Sequence, residues 1–531
     1  MKDKSADRSY IKLMNDLVDD DPEGEDEYHQ QWKQKLDAVS PSFCLAKWKQ
    51  VTLHLQYGHK HSCHHPNTHR IDPEAVKKDP SALHNTELSK HVRQQMLDGV
   101  RPTECGYCWK AEDTGSFSDR VYKSATKWAN PFFDEVVKNK PMEGENIFPS
   151  YLEVSFSSVC NFKCTYCAPH ISSQWFQEIE QHGGYKLSYD GSSYHYNDMR
   201  MLEEQDKIPI KNSEDNPYVE AFWKWWPELY RHLQTFRITG GEPLMTKDTF
   251  KVLDYIIDDP IPNKNLRLEI NSNLCVEDKL FDKFTTKIDK MVQDRMSGPI
   301  TIYTSCEAKD RRAEYIRTGL DYQKHLDSVK TILDIFCKHK MKPHHYKDPA
   351  RYMHVSYMCT YNLLSVSSFT GFLKDIEDIR KGLEFSPEMI EHADDICKNP
   401  SDHIYMERDN IRSLAGGQQY LATQSMTVDI PFLRHPSHLC IDILTDDFGD
   451  YFEESYQFIK DSPWFSKFEA RKMMRVWNVY KNTTMANNTK RQHRKEFQQY
   501  VDQLDQRRNT NFLKTFPEYT NFYEYCKSLP E

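Results

Sequence analysis

Six short apolar runs, each followed by a longer stretch of polar or helical period, restrict this chain to an α/β architecture. The runs are 151–157 (YLEVSFS), 235–239 (TFRIT), 266–271 (LRLEIN), 300–305 (ITIYTS), 353–359 (MHVSYMC) and a sixth within 426–444. Between them, 277–293 sets Leu280, Phe281, Phe284, Ile288, Met291 and Val292 on one helical face, and Tyr322, Leu326, Val329, Leu333 and Phe336 repeat at the same period. Strands alternating with helices imply a parallel sheet, because a parallel partner is reached only by a crossover. Five or six such units predict a partial (β/α)6 TIM-like barrel, short of the full eight, with chemistry at the carboxyl ends of the strands. The remaining segments divide into an acidic N-terminal arm over 1–40, a small cysteine-containing domain over 41–125, a linker over 126–149, the core over 150–450 with an insertion near 182–220, and a helical C-terminal appendage over 451–531. The acidic block 16–27 (DLVDDDPEGEDE) repels itself and reads as solvated.

Directly after the first run, Cys160, Cys164 and Cys167 stand at C-x3-C-x2-C spacing on a loop at the carboxyl edge. Structural zinc wants four protein ligands, and catalytic zinc sets are richer in histidine. Three clustered thiolates suit a four-iron cubane held at three corners, with one iron open to a small molecule.

These residues resemble the radical S-adenosylmethionine (SAM) superfamily, whose signature C-x3-C-x-aromatic-C is matched here with Tyr166 as the aromatic. The next run ends in Gly240-Gly241-Glu242-Pro243, similar to the family's GGEP-type motif, which receives the methionine amino group of SAM. The resemblance implies SAM contacts from Asn273 (with Asn362 as a weaker candidate), Ser305, Glu307 and Arg317. Hydroxyls suit a ribose and a guanidinium suits a carboxylate. It also implies a SAM-binding [4Fe-4S] cluster that cleaves SAM reductively to a 5'-deoxyadenosyl radical, which abstracts a substrate hydrogen.

A second set, Cys44, Cys63, Cys105 and Cys108, follows a C-x13-G-x4-C pattern around Gly58. This resembles the auxiliary-cluster half of SPASM and twitch domains, although those usually follow the barrel and this set precedes it. The resemblance implies a second, auxiliary [4Fe-4S] cluster; four thiols satisfy structural zinc equally well. His54, His59, His61, His64, His65 and His69 nearby read as surface residues. Cys275, Cys306, Cys337, Cys359, Cys397, Cys440 and Cys526 read mostly as small core residues, with Cys275, Cys306 and Cys440 near strand ends.

A net charge of -10 offers no whole-molecule attraction to nucleic acid or anionic lipid, so neither is an expected partner. No signal-like or membrane-length apolar stretch occurs, and fourteen cysteines without one predict a reducing, cytoplasmic setting. Three functions stay open. The first is a radical SAM enzyme acting on a peptide or protein, fed by a donor such as flavodoxin or ferredoxin. The second is one acting on a carbohydrate or small metabolite, with a structural zinc domain; sulfur insertion or methyl transfer stays open for either. The third is a non-catalytic, metal-stabilised binding protein.

Overall fold

The computed structural model describes residues 22–139, 145–188, 199–211, 213–340, 353–398 and 416–530. All six expected strands form: β4 (Tyr151–Ser155), β6 (Thr235–Thr239), β7 (Arg267–Asn271), β8 (Ile300–Thr304), β10 (Met353–Met358) and β11 (Met426–Asp429). They lie side by side in chain order and pair in parallel throughout. β5 (Lys163–Cys164) and β9 (Arg317–Thr318) form a separate two-stranded ribbon. The helices that matter below are α1 (Pro22–Val39), α2 (Pro217–His232), α3 (Lys247–Asp258), α4 (Asp278–Asp294), α5 (Tyr322–Lys340), α6 (Phe369–Lys381), α7 (Lys467–Lys481) and α8 (Asn487–Arg508). Both helices expected from periodicity appear, as α4 and α5.

Because side chains alternate along a strand, the sheet has two unlike faces. Leu152, Val154, Phe236, Ile238, Leu268, Ile270, Ile302, Val355 and Val428 are fully buried on one face. The other carries Glu153, Arg237, Glu269, Tyr303, Met358 and Asp429. Across this polar face, Arg237 on β6 reaches Met358 Sδ on β10 at 3.5 Å, three strand steps away.

The N-terminal segment departs from the expected division. β1 (Gln50–His54) pairs in parallel with β4, from Gln50↔Tyr151 to His54↔Ser155. β2 (His59–His61) and β3 (His69–Arg70) follow antiparallel, giving a nine-stranded sheet. Segment 41–125 therefore has its own core, with Phe43, Leu45, Trp48 and Met96 buried, yet shares the main sheet. β1 and β2 form a hairpin, with Gly58 at φ +71. A Cβ there would overlap the ring of Tyr218 on α2, so glycine is required on two counts. The expected 1–40 arm is packed in part: α1 buries Trp32 and Leu36 in the N-terminal core, while Glu27 in the acidic block is exposed; residues 1–21 lie outside the described residues. The 126–149 linker likewise contributes buried Ala129 and Val136. Segment 451–530 is helical as expected. Among the described residues no helix is long and apolar enough to cross a membrane.

Candidate functional site

Parallel pairing brings the exits of the central strands to one edge, and there they surround a cavity of about 540 Å³. Cys160, Cys164, Tyr166, Cys167, Gly240, Gly241, Glu242, Asn273, Ser305 and Arg317 all contribute to its wall. Pro243 and Glu307, also expected there, do not.

The cysteine loop is fixed from several sides. Cys164 in β5 pairs with Arg317 in β9, and Arg317 Nη1 donates to Cys164 Sγ at 3.7 Å. Trp175 Nε1 donates to Cys164 O at 2.6 Å, and Ser172 Oγ to Phe162 O at 2.8 Å, with Phe162 itself buried. From α8, Tyr500 Oη donates to Thr165 O at 2.5 Å and Arg508 Nη1 to Lys163 O at 2.6 Å. Burial pushes all three thiols upward, Cys167 to about 12. None is in a disulfide. Among the described residues no three His, Cys, Asp or Glu side chains converge on a single-ion position. A polynuclear group takes one ligand per corner, so thiols set around a shared space fit such a group.

At the end of β6 the chain turns against this loop. Gly241 N donates to Ser157 O at 3.1 Å and Glu242 N to Val159 O at 2.7 Å. A Cβ on Gly241 would penetrate Val159 O, and one on Gly240, at φ +121, would lie 2.7 Å from Ser155 Oγ. Only glycines allow this approach. The Glu242 carboxylate, 1% exposed, accepts from Leu244 N at 3.0 Å, Ser272 Oγ at 2.7 Å and Asn273 N at 2.7 Å. Burial raises it to about 7. The sequence suggested a carboxylate facing a bound ammonium; in the structure Glu242 lines the cavity and also ties the ends of β6 and β7 together through these bonds. Pro243 is buried at the start of a short 3-10 helix.

Glu307 sits behind Arg317, 1% exposed, with Arg317 Nη2 at 2.6 Å from its Oε2 and Tyr166 Oη donating to Oε1 at 3.1 Å. Its role is to hold those two wall residues. Asn273 Nδ2 donates to Asn161 Oδ1 at 2.8 Å, tying the loop after β7 to the cysteine loop. Asn362 is buried as the cap of a 3-10 helix, away from the cavity. Cys275, Cys306 and Cys440 are buried and off the wall. The sequence reading missed His170, Tyr303, Thr360, His435, His438 and Tyr500 on the wall. His435 and His438 follow β11 at the same carboxyl edge, so the strand-exit rule would have found them; nothing local points to Tyr500.

Cys44, Cys63, Cys105 and Cys108 line a second, small cavity of about 20 Å³ with Lys47 and Arg120. Most of the histidines beside it are drawn inward and are not surface residues: His59 and His61 are buried and His54, His65 and His69 half-buried, whereas His64 is exposed as expected. Burial holds His54 and His69 at about 3 and His59 and His61 at about 4. They act as neutral rings, His54 stacking on Tyr57 at 5.4 Å and on His61 at 5.3 Å. Buried cations outnumber carboxylates here. Lys47 pairs with Glu104, and Arg120 with Glu112 and Asp37. Lys60, 0% exposed, donates only to His84 O and Ser89 Oγ. Arg93, 6% exposed, binds Lys47 O, Asn85 Oδ1 and His84 Nε2. Burial pushes both down, Lys60 far below its ordinary value and Arg93 to about 9, and neither lines the thiol cavity. Of these cations, Lys47 and Arg120 face the four thiols.

No protein-family model matches the chain, and comparison with curated proteins finds no match.

Proposed function

We propose that this chain is a radical SAM enzyme whose catalytic centre is the cavity at the carboxyl edge, within a partial (β/α)6 barrel. The observation that carries the reading is the meeting, on one cavity wall, of Cys160, Cys164 and Cys167 with the glycine turn Gly240–Gly241. The thiols are the ligands for a [4Fe-4S] cluster, which with SAM supplies a 5'-deoxyadenosyl radical for hydrogen abstraction. Gly240 and Gly241 offer backbone to the SAM ammonium, Ser305 and Asn273 suit its hydroxyls, and Arg317, held by Glu307, suits its carboxylate. Trp175, Tyr303 and Tyr500 on the wall add apolar surface that limits water around the reacting centre. Cys44, Cys63, Cys105 and Cys108 hold a second, auxiliary cluster, with zinc as the competing occupant. A peptide or protein substrate, a flavodoxin- or ferredoxin-like donor and a cytoplasmic setting complete the reading.

Anaerobic reconstitution with iron and sulfide tests it. Two clusters require about eight irons, and zinc in the N-terminal site about four with one zinc. With dithionite, the protein should convert SAM to 5'-deoxyadenosine, and the Cys160→Ala/Cys164→Ala/Cys167→Ala variant should not while keeping its far-UV spectrum. Equal turnover by that variant would reject the proposal.

A further inference from the structure

The total charge of -10 conceals one strongly basic surface. Residues 467–495, spanning α7 and the first part of α8, hold nine lysines and arginines and a single acidic residue, Glu469. That one carboxylate is spent internally: it is 1% exposed and pairs with Arg380 at 2.5 Å. Of the cations, Lys472 pairs with Asp429 at 3.0 Å and Lys495 is buried, so the patch rests on the others and on Arg434. Across the patch, cations rest on aromatic rings. Arg434 and Arg475 both lie 5.3 Å from the ring of Phe432, Lys481 lies 3.9 Å over Trp477 and Arg494 lies 5.4 Å from Tyr525. No carboxylate among the described residues pairs with Arg434, Arg475 or Lys481. A ring beneath a guanidinium fixes its plane and leaves its N–H donors facing outward, the arrangement that suits an oxyanion.

The patch is continuous with the cavity wall. Phe432 and Arg434 directly precede His435, which lines the cavity. Tyr480 Oη donates to Thr445 O at 2.9 Å, and Arg494 donates to Ile443 O and Leu444 O at 2.5 and 2.9 Å. Both helices are thereby pinned to the segment that carries His435 and His438.

We propose that α7, the start of α8 and Arg434 form a docking surface for single-stranded nucleic acid, held through its phosphates and led toward the cavity mouth. An acidic peptide would match the charge, but the neighbouring sheet edge cannot take a strand. On β11 the outward Val428 N–H donates to Glu469 Oε1 at 2.8 Å, and Met426 O accepts from Arg380 Nη2 at 2.7 Å. With that edge sealed, a peptide would be held by charge alone. A nucleic-acid strand brings one phosphate per nucleotide and flat bases that stack on ring and guanidinium planes. Docking requires neither cluster nor SAM, so it stands or falls separately from the radical reading.

The test is fluorescence anisotropy of the full chain with labelled single-stranded RNA and DNA of about 20 nucleotides, longer than one binding site. Five phosphate contacts predict a slope of log affinity against log salt near roughly -3.5, or about 100-fold weakening between about 50 and 200 mM salt. Replacing Arg434, Arg475, Lys481, Lys490 and Arg491 by Ala should flatten the slope, whereas Lys247→Ala/Lys264→Ala/Lys279→Ala should leave it unchanged. If the five-fold variant loses its native far-UV spectrum, Arg434→Ala/Arg475→Ala alone should lower the slope by about 1.4. Preference for RNA over DNA of the same sequence would assign the strand by its 2'-hydroxyls, and equal binding would assign recognition to the phosphates; either supports docking. Salt-insensitive or absent binding, equal loss in the control variant, or displacement by polyglutamate at the same charge concentration would overturn the proposal.

Discussion

Glu242→Gln separates a carboxylate that meets a ligand from one that ties two loops together. In the folded protein the group is almost fully buried and ionises near 7, against its ordinary 4.5. Between those values the folded state binds more protons than the unfolded chain, so stability falls as pH rises through the window and is fully retained only below it. At about 1.4 kcal/mol per pH unit, the loss across the window is roughly 3 kcal/mol. Glutamine cannot ionise and removes this dependence. It must, however, turn an amide N–H toward Leu244 N, Ser272 Oγ or Asn273 N, at a cost of about 1–3 kcal/mol. Urea unfolding of both proteins between about pH 5 and 8 should find the variant less stable at the acid end and the gap closed or reversed at the alkaline end. A gap that stays constant with pH would mean that the carboxylate is hydrated, and the positioning role would fail.

Arg508→Met should cost about 3 kcal/mol in urea unfolding, because the Arg508 side chain is fully buried against Glu178 at 3.0 Å and its loss leaves that carboxylate with Lys163 and Tyr185 alone. Burial alone would raise Glu178, but Arg508, Tyr185 and Lys163 outweigh it and hold the group at about 2. The wild type should therefore lose this contribution as pH falls from about 4.5 toward 2, and the variant should lose less of it. Lys47→Met tests the charge balance of the N-terminal site, because Lys47 lines the thiol cavity and, against the lowering effect of burial, is raised by Cys105 beside it. The variant should hold metal less tightly against a chelator, since the facing positive charge is gone. Unchanged retention would dissociate Lys47 from the thiol site.

The six core strands and helices α4 and α5 were legible because element type is a local property. Period two in TFRIT or ITIYTS and period 3.6 in 277–293 report which face is apolar without reference to distant chain. The cysteine triplet and the glycine turn were legible for the same reason: ligand spacing and a forced close approach are written within a few residues. What lay beyond the sequence were the relations between distant segments. Nothing in 50–54 (QVTLH) announces a parallel partner a hundred residues on, so the N-terminal segment read as separate until β1 was seen against β4. The acidic run masked α1, whose Trp32 and Leu36 find their core only in the folded chain. Burial decided the rest. His54, His59 and His61 became neutral packing, Glu242 took a place in the seam as well as on the cavity wall, and Tyr500 and Arg508 came to rest on a loop more than 300 residues away. Charge and hydrogen-bond roles depend on the surrounding dielectric and on partners supplied by other elements, and spacing along the chain contains neither.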